Sequence, residues 1–390
     1  MKSSINLNNT EKAFAYKSDA ELKNTIFIFG LLQKPFLVKM LMKIADWIIT
    51  FKLPLKFILR KTVFQVFCAG ENRSEAAKTI QHIKKYNVNT VLDYVAEGDN
   101  SEASFENNLQ TILGNIQFVS KNAADATVGV KLSGLEDVAF LKQYKTIDEG
   151  NSDIAILRLA KFTERVEKIC QLGSDLHVKI YIDAEEYSTQ FIFDNVVELM
   201  MEKFNKKEVI VYNTLQMYLT DRVDYLNKAI ADARAKGYLL GMKLVRGAYV
   251  EKEREYAKRD GVPSPVFDTK EGTDRSYDTA LEICLRENSL INTCLATHNQ
   301  ASVELAVQLI EEFKIENHHQ KIFFSQLYGM SDNLTFNLAA SNYNSSKYVP
   351  YGEVEKAIPY LMRRAEENSS IEGQVGREYE LLLLEKNRRK

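Results

Sequence analysis

The sequence predicts an α/β fold of the (β/α)8 TIM-type barrel class with an N-terminal helical region. Three observations predict it. Eight short β-branched runs recur beyond residue 88, and helix-length segments with apolar spacing near 3.6 residues lie between and after them. No G-x-G-x-x-G turn follows the first run, which disfavours a dinucleotide-binding sheet. The count of eight separates a closed barrel from an open doubly wound sheet with the same alternation.

In chain order the expected strands are TVLDY from Thr90, TVGVKLSGL from Thr127, HVKIYIDAEE from His177 and VIVYNTLQMY from Val209. LGMKLVRGAY from Leu240, INTCLATHN from Ile291, KIFFSQLYGM from Lys321 and SKYVPYG from Ser346 complete the set. DIAILRLAKFTERVEKICQ from Asp153 and ASVELAVQLIEEF from Ala301 show the helical stripe between them. Within the second run Val128, Val130 and Leu132 share a face and Lys131 lies opposite. Within the third, Val178, Ile180 and Ile182 share a face, with Asp183 and Glu185 opposite. The apolar faces suit an outer layer of helices. The polar residues then point into the barrel at the strand ends, where barrels of this kind build active sites.

Residues 1–88 do not fit the repeat and read as helices. The last of these is expected to start at Ser74 as N-cap and to stop near Asn87. The barrel body takes residues 89–370, and residues 371–390 form a tail with a charged end. In the segment from Glu353, Pro359 is expected to delay the helix start to about Ala357, because proline is tolerated only in the first turn.

The chain has 390 residues, 45% of them hydrophobic, and a formal net charge of −2, so its balance of charge does not point to nucleic acid. Its four cysteines form no Cys-x-x-Cys pair and read as reduced core thiols. The N-terminus carries no apolar signal core and is poor in arginine, which favours a bacterial cytoplasmic setting, with the mitochondrial matrix as the alternative.

The polar residues at the strand ends are Lys131, Asp183, Glu185, Asn213, Gln216, Lys243, Arg246, His298, Asn299 and Tyr348. The final helical segment adds Arg363, Arg364 and Glu367. Lys131, Lys243, Arg246, Arg363 and Arg364 are expected to converge on one barrel mouth. Such an excess of cations is costly unless an anion occupies the site, and paired guanidinium groups suit a carboxylate or phosphate. Surface pairing of Arg363 and Arg364 with Glu366 and Glu367 is the plainer alternative. His298 reads as a base or as a core histidine. No second His or Cys stands at metal spacing, so no metal site is expected. Lys243 suits either a Schiff base or an ion pair with Asp183 or Glu185.

KLVRGAY, ATHNQ, QLYGM, YVPYG and PYLMRRAEENS stand in this order along the chain. As an ordered set, from about Ala69 to Ser370, they resemble the proline dehydrogenases, and most of all the monofunctional, eukaryote-like branch. The resemblance implies a distorted barrel holding FAD at its C-terminal face. It places Lys243 beside flavin N5, where many bacterial members have arginine. It also implies that Val245, Arg246, Gly247 and Ala248 run against the flavin and its phosphates. Either Asn213 or Gln216 falls at the isoalloxazine edge, and Thr297, His298 and Asn299 match the sixth-strand FAD motif. Lys131, Arg363 and Arg364 match a carboxylate clamp for proline, and Tyr249 and Tyr348 match walls over its ring. Asp183 matches a carboxylate ordering the clamp, and Glu367 one holding the final arginines. Asp183, Lys243 and Tyr348 would therefore carry the catalytic centre.

The implied reaction is oxidation of L-proline to Δ1-pyrroline-5-carboxylate by hydride transfer to FAD, with electrons passing to membrane quinone. A pyrroline-5-carboxylate dehydrogenase is the implied downstream partner. The ring nitrogen must lose its proton first, so activity is expected to rise with pH. Hydroxyproline oxidation is one alternative, although the related hydroxyproline enzymes tend to lack a tyrosine at the position of Tyr348. A flavin-free Schiff-base lyase is another. Residues 34–61 carry seven cations, from Lys34 to Lys61, against the single acid Asp46, with Trp47 near the centre. This pattern reads either as a basic surface segment docking on the inner membrane or as helices exposing lysines to solvent.

Overall fold

Each β-branched run becomes a strand: β1 Val88–Tyr94, β2 Thr127–Val130, β3 Lys179–Ile182, β4 Val211–Gln216, β5 Leu240–Val245, β6 Ile291–Ala296, β7 Ile322–Leu327 and β8 Ser345–Tyr351. In a computed structural model of the chain they follow one another around a closed barrel in sequence order. The structure describes residues 5–34, 36, 59–95, 100–123, 125–150, 152–316, 318–370 and 374–390. Most of the segment 34–61 singled out above lies outside them. No helix among the described residues is long and apolar enough to cross a membrane.

The α-helices of five or more described residues are α1 Thr10–Phe14, α2 Asp19–Leu32, α3 Arg73–Lys84, α4 Glu102–Asn122, α5 Asp153–Asp175, α6 Tyr187–Phe204 and α7 Arg222–Lys236. They continue with α8 Val250–Asp260, α9 Lys270–Arg286, α10 Gln300–Glu312, α11 Asp332–Ala339, α12 Val354–Ser370 and α13 Gln374–Arg388. Side-chain caps set many of the starts. Ser101, Ser152, Thr269 and Asn299 each accept a backbone N–H in the first turn of α4, α5, α9 and α10. Helix α3 is capped by Asn72, which accepts from the Glu75 N–H, and not by Ser74. Asn87 takes a left-handed φ of 58° just beyond that helix, as a stop signal should. Helix α12 starts at Val354, ahead of the expected Ala357, because the Ala357 N–H already bonds the Glu353 carbonyl at 2.9 Å. Pro359 therefore sits inside the helix, near its N-terminal end, where its missing N–H costs one hydrogen bond.

The chain packs as two compact units, residues 98–324 and residues 2–97 with 325–390. In the first, β2 to β6 pair in parallel, with Gly129 opposite Tyr181, Tyr181 opposite Tyr212, Thr214 opposite Lys243 and Lys243 opposite Cys294. Partners in register share a face, so one face of this sheet carries Gly129, Tyr181, Tyr212, Thr214, Lys243 and Cys294. The rings of Tyr181 and Tyr212 lie 4.7 Å apart on it. All four cysteines are buried and unbridged.

In the second unit β1 and β8 pair from Val88–Ser345 to Tyr94–Tyr351. Phe14, Leu22, Phe29, Phe67, Val354, Ala357, Leu361 and Leu382 share one core, so the first and last helices of the chain pack together. Beside it lies a buried ionic cluster. Asp332 pairs with Lys347 at 2.8 Å and Lys17 at 3.4 Å, and Tyr16 donates to it at 2.7 Å. Burial pushes the Asp332 carboxyl up, but the two lysines outweigh it and hold the group at about 2. A depressed folded value means that the stability Asp332 contributes is full above about pH 4 and is lost as pH falls toward about 2. Asp332→Asn should therefore flatten the acid arm of the unfolding curve. It should also cost about 3–5 kcal/mol near neutral pH, because the buried Lys347 loses the carboxylate 2.8 Å away. Thermal melts of both proteins across an acid pH series check this.

Candidate active site

Strand alternation decides which polar side chains share a face. Tyr181 precedes Asp183 by two residues, Thr214 precedes Gln216 by two, and Gly129 precedes Lys131 by two. Lys131, Asp183, Gln216 and Lys243 thus belong to one face at the strand ends, as the alternation predicts. Lys243, almost fully buried, donates to Asp183 Oδ1 at 2.5 Å. Its ammonium also lies 5.9 Å from the Tyr181 ring. Opposite it on β6, burial pushes the Cys294 thiol up to about 11, with the Lys243 cation offsetting part of the effect. Gln216 donates to the Glu185 carbonyl at 2.7 Å, and Glu185 accepts from the Ser133 N–H at 3.0 Å.

Two residues face the other way. Asn213 donates to Asp194 of α6 at 2.8 Å and to the Tyr225 hydroxyl of α7 at 3.0 Å. It stands three residues from Gln216, so the two point to opposite faces, and Gln216 is left as the candidate on the Lys243 side. Arg246 likewise stands three residues from Lys243. Its guanidinium reaches toward α9 and α10. It donates to Asp274 of α9 at 2.7 Å, to Thr297 at 2.8 Å and to Ser302 of α10 at 2.9 Å, and lies 4.5 Å from the Tyr277 ring. Burial raises the Asp274 carboxyl, but Lys270 and Arg246 outweigh it and hold the group below its usual range. Ser302 passes the chain of hydrogen bonds on to Asp278 at 2.7 Å. Asp274 and Asp278 were invisible as partners in the sequence, although their i, i+4 spacing about Tyr277 places them on one helical face.

Gly247, at φ 125°, follows directly. A Cβ there would meet Tyr218 Cδ1 at 2.4 Å, so the small residue is required by packing inside the protein itself. Gly247→Ala should cost about 1–3 kcal/mol, because it adds a clash to an unfavourable φ. A urea titration that shows no loss would contradict that. Val245 ends β5, Ala248 is exposed, and Tyr249 is half-buried just before α8. Thr297 accepts from the Asn299 N–H as well as from Arg246, His298 is half-buried, and Asn299 caps α10. This motif thus delivers the N-terminus of a long helix to the end of β6, a place suited to an anion.

In the other unit, Tyr348 is 8% exposed and shares a face of the β1–β8 pair with Val91 and the buried Asp93. Arg364 is buried with its guanidinium 5.2 Å from the Tyr360 ring, and Arg363 is half-buried on the same helix. The side chain of Glu367 lies outside the described ones. Lys131, Lys243 and Arg246 lie in the first unit, and Arg363 and Arg364 in the second.

A family model described as proline dehydrogenase matches residues 76–377. The mitochondrial proline dehydrogenase 1 of Dictyostelium discoideum is 31% identical over 410 residues, covering 94% of this chain and 72% of that protein. A hydroxyproline dehydrogenase of Xenopus laevis is 26% identical over 417 residues, covering 96% of this chain and 88% of that one. Among solved structures, proline utilization A from Bdellovibrio bacteriovorus, inactivated by N-propargylglycine, superposes with a TM-score of 0.71 at 22% identity. That match covers 80% of this chain and 33% of the other, so the chain spans about a third of that protein's length and the likeness speaks for the barrel fold. With the family match covering most of its length and the barrel in place, the chain belongs to the proline dehydrogenase family and is an oxidoreductase.

Proposed function

We propose that the chain oxidises L-proline to Δ1-pyrroline-5-carboxylate with FAD as its cofactor, and that the electrons then pass to a membrane quinone. The observation that carries this reading is the Asp183–Lys243 pair, which holds a cation on the face shared by Lys131 and Gln216. The donor set fits a flavin. Lys243 and Gln216 offer donors at the strand ends, and the α10 N-terminus behind Thr297, His298 and Asn299 suits a phosphate. Bound FAD would supply the acceptor for the hydride that leaves the ring carbon beside nitrogen. Lys131 takes the substrate carboxylate, and Arg363 and Arg364 are assigned to the same group by their motif. Tyr249 and Tyr348 are assigned to the ring. Fixing the carboxylate orients the ring, and orientation carries much of the rate. Arg246 acts indirectly, by fixing the end of β5 to α9 and α10.

The lyase reading is disfavoured because the Lys243 Nζ is engaged by Asp183 Oδ1 at 2.5 Å and not presented to a substrate carbonyl. Hydroxyproline is the second reading, favoured by the Xenopus relative. Comparing kcat/KM on L-proline and 4-hydroxy-L-proline with a dye acceptor separates them. The proposal expects proline to win clearly, and a preference for hydroxyproline would overturn it. Docking on an inner-membrane surface through residues 34–61 belongs to the same proposal. Liposome co-sedimentation that is absent, or unchanged when those lysines become glutamates, would remove it.

A further inference from the structure

We propose that Glu253 is a positioning residue for Tyr249, and that it acts by capping helix α6 from its place on α8. The inference rests on the assignment of Tyr249 to the substrate ring. Tyr249 stands in the short connection between β5 and α8, at the N-cap position of α8. Neither helix at this junction caps itself. Tyr249 at the start of α8 and Glu186 at the start of α6 make no side-chain cap hydrogen bond. Glu253 supplies what α6 lacks. Its Oε1 accepts the N–H of Tyr187, the first residue of α6, at 2.8 Å. A carboxylate there meets N–H groups that have no intrahelical acceptor and the positive end of the helix dipole. Glu253 is 3% exposed, so water competes weakly for the contact.

The cap bears on Tyr249 through the residues on either side of it. The Glu253 N–H donates to the Tyr249 carbonyl at 2.9 Å, so the two residues share the first turn of α8. Two residues upstream, Gly247 packs against Tyr218, whose N–H donates to the Arg246 carbonyl at 2.7 Å. Tyr249 is thus held between a fixed point just beyond β4 and a first turn that Glu253 fixes to α6. Tyr187 follows Asp183 by four residues. The cap therefore joins the connection that carries Lys243 and Tyr249 to the one that carries Asp183 and Glu185. Glu186 adds ion pairs with Lys252 of α8 and, at 2.8 Å, with Lys142. Both lysines are exposed, and exposed pairs contribute little, so the buried cap is the firmer tie. Arg254 secures the next residue of α8 elsewhere, to the carbonyls of Phe267 and Asp268 at 3.1 and 2.9 Å.

Steady-state kinetics of the full chain on L-proline with a dye acceptor test the inference. Glu253→Ala removes the acceptor and is expected to raise KM about fivefold or more, with a smaller change in kcat. Glu253→Gln, whose amide oxygen still accepts the N–H, should recover most of that loss. A purely structural role would lower the amount of active enzyme, and with it the apparent kcat, and leave KM alone. Tyr187→Pro tests the same hydrogen bond from the donor side, whether or not Glu253→Ala folds. Glu186 has φ −69° and ψ 147°, which suits a following proline, and the first helical position tolerates one. Tyr187→Ala loses the same ring but keeps the N–H, so the proline variant should exceed it in KM by about threefold or more. The Glu253→Ala penalty should also vanish in a Tyr249→Leu background, because both changes then act on one contact. An unchanged KM in Glu253→Ala, equal KM in the two Tyr187 variants, or an undiminished penalty in the Tyr249→Leu background overturns the proposal. A wild-type KM in Tyr249→Leu alone overturns the ring assignment and the proposal with it. A wild type without proline turnover overturns the function proposed above, and this inference falls with it.

Discussion

Arg364→Met is expected to lower kcat/KM for L-proline by about 100-fold or more while leaving FAD affinity within about threefold. A buried guanidinium gives a carboxylate two parallel charge-assisted hydrogen bonds, each worth about 1.5–3 kcal/mol, and methionine keeps the volume but none of the donors. Arg364 is 9% exposed against Tyr360, so water replaces the lost donors poorly. Arg364→Lys should recover only part of the loss, since a point charge lacks the planar fork. Steady-state kinetics and a flavin-binding titration on the same preparations check both halves. An equal loss of FAD and proline binding would move Arg364 out of the substrate clamp.

The second large effect is expected at Lys243. Lys243→Met takes the ammonium at 2.5 Å away from the Asp183 carboxylate, whose side chain is 15% exposed, a change that costs about 3 kcal/mol or more. Activity should fall further than stability. The lost charge stands on the face to which the proposed flavin is assigned, and removing one such preorganised group costs about 100- to 1000-fold in kcat. Lys243→Arg keeps the charge and the pair, so it should retain most of the stability and a measurable rate. Denaturant titration and turnover of the two variants, side by side, separate the structural loss from the chemical one. Equal turnover in Lys243→Met and wild type would show that the cation only supports the fold.

The barrel was legible because each strand is a short β-branched run whose neighbours are helical, and period is the most robust signal a sequence carries. The pairing of Lys243 with Asp183 was legible as one of the two options that strand alternation allowed. Asn213 and Arg246 reach toward the helices for a reason the same alternation contains: each stands an odd number of residues from a side chain on the Lys243 face. The cap at Asn72 beat Ser74 because both begin plausible first turns, and only geometry shows which oxygen reaches the Glu75 N–H. The Lys17–Asp332–Lys347 cluster could not be read at all. Its members lie more than 300 residues apart at the extremes, and no local pattern marks a lysine that topology will bury.

The central claim is tested most directly by an absorbance spectrum of the purified protein, taken before and after anaerobic addition of L-proline. The account predicts flavin bands that bleach when proline is added. Bands that persist would contradict proline as substrate. Absence of flavin bands even after FAD is supplied would contradict the cofactor and return Lys243 to amine chemistry.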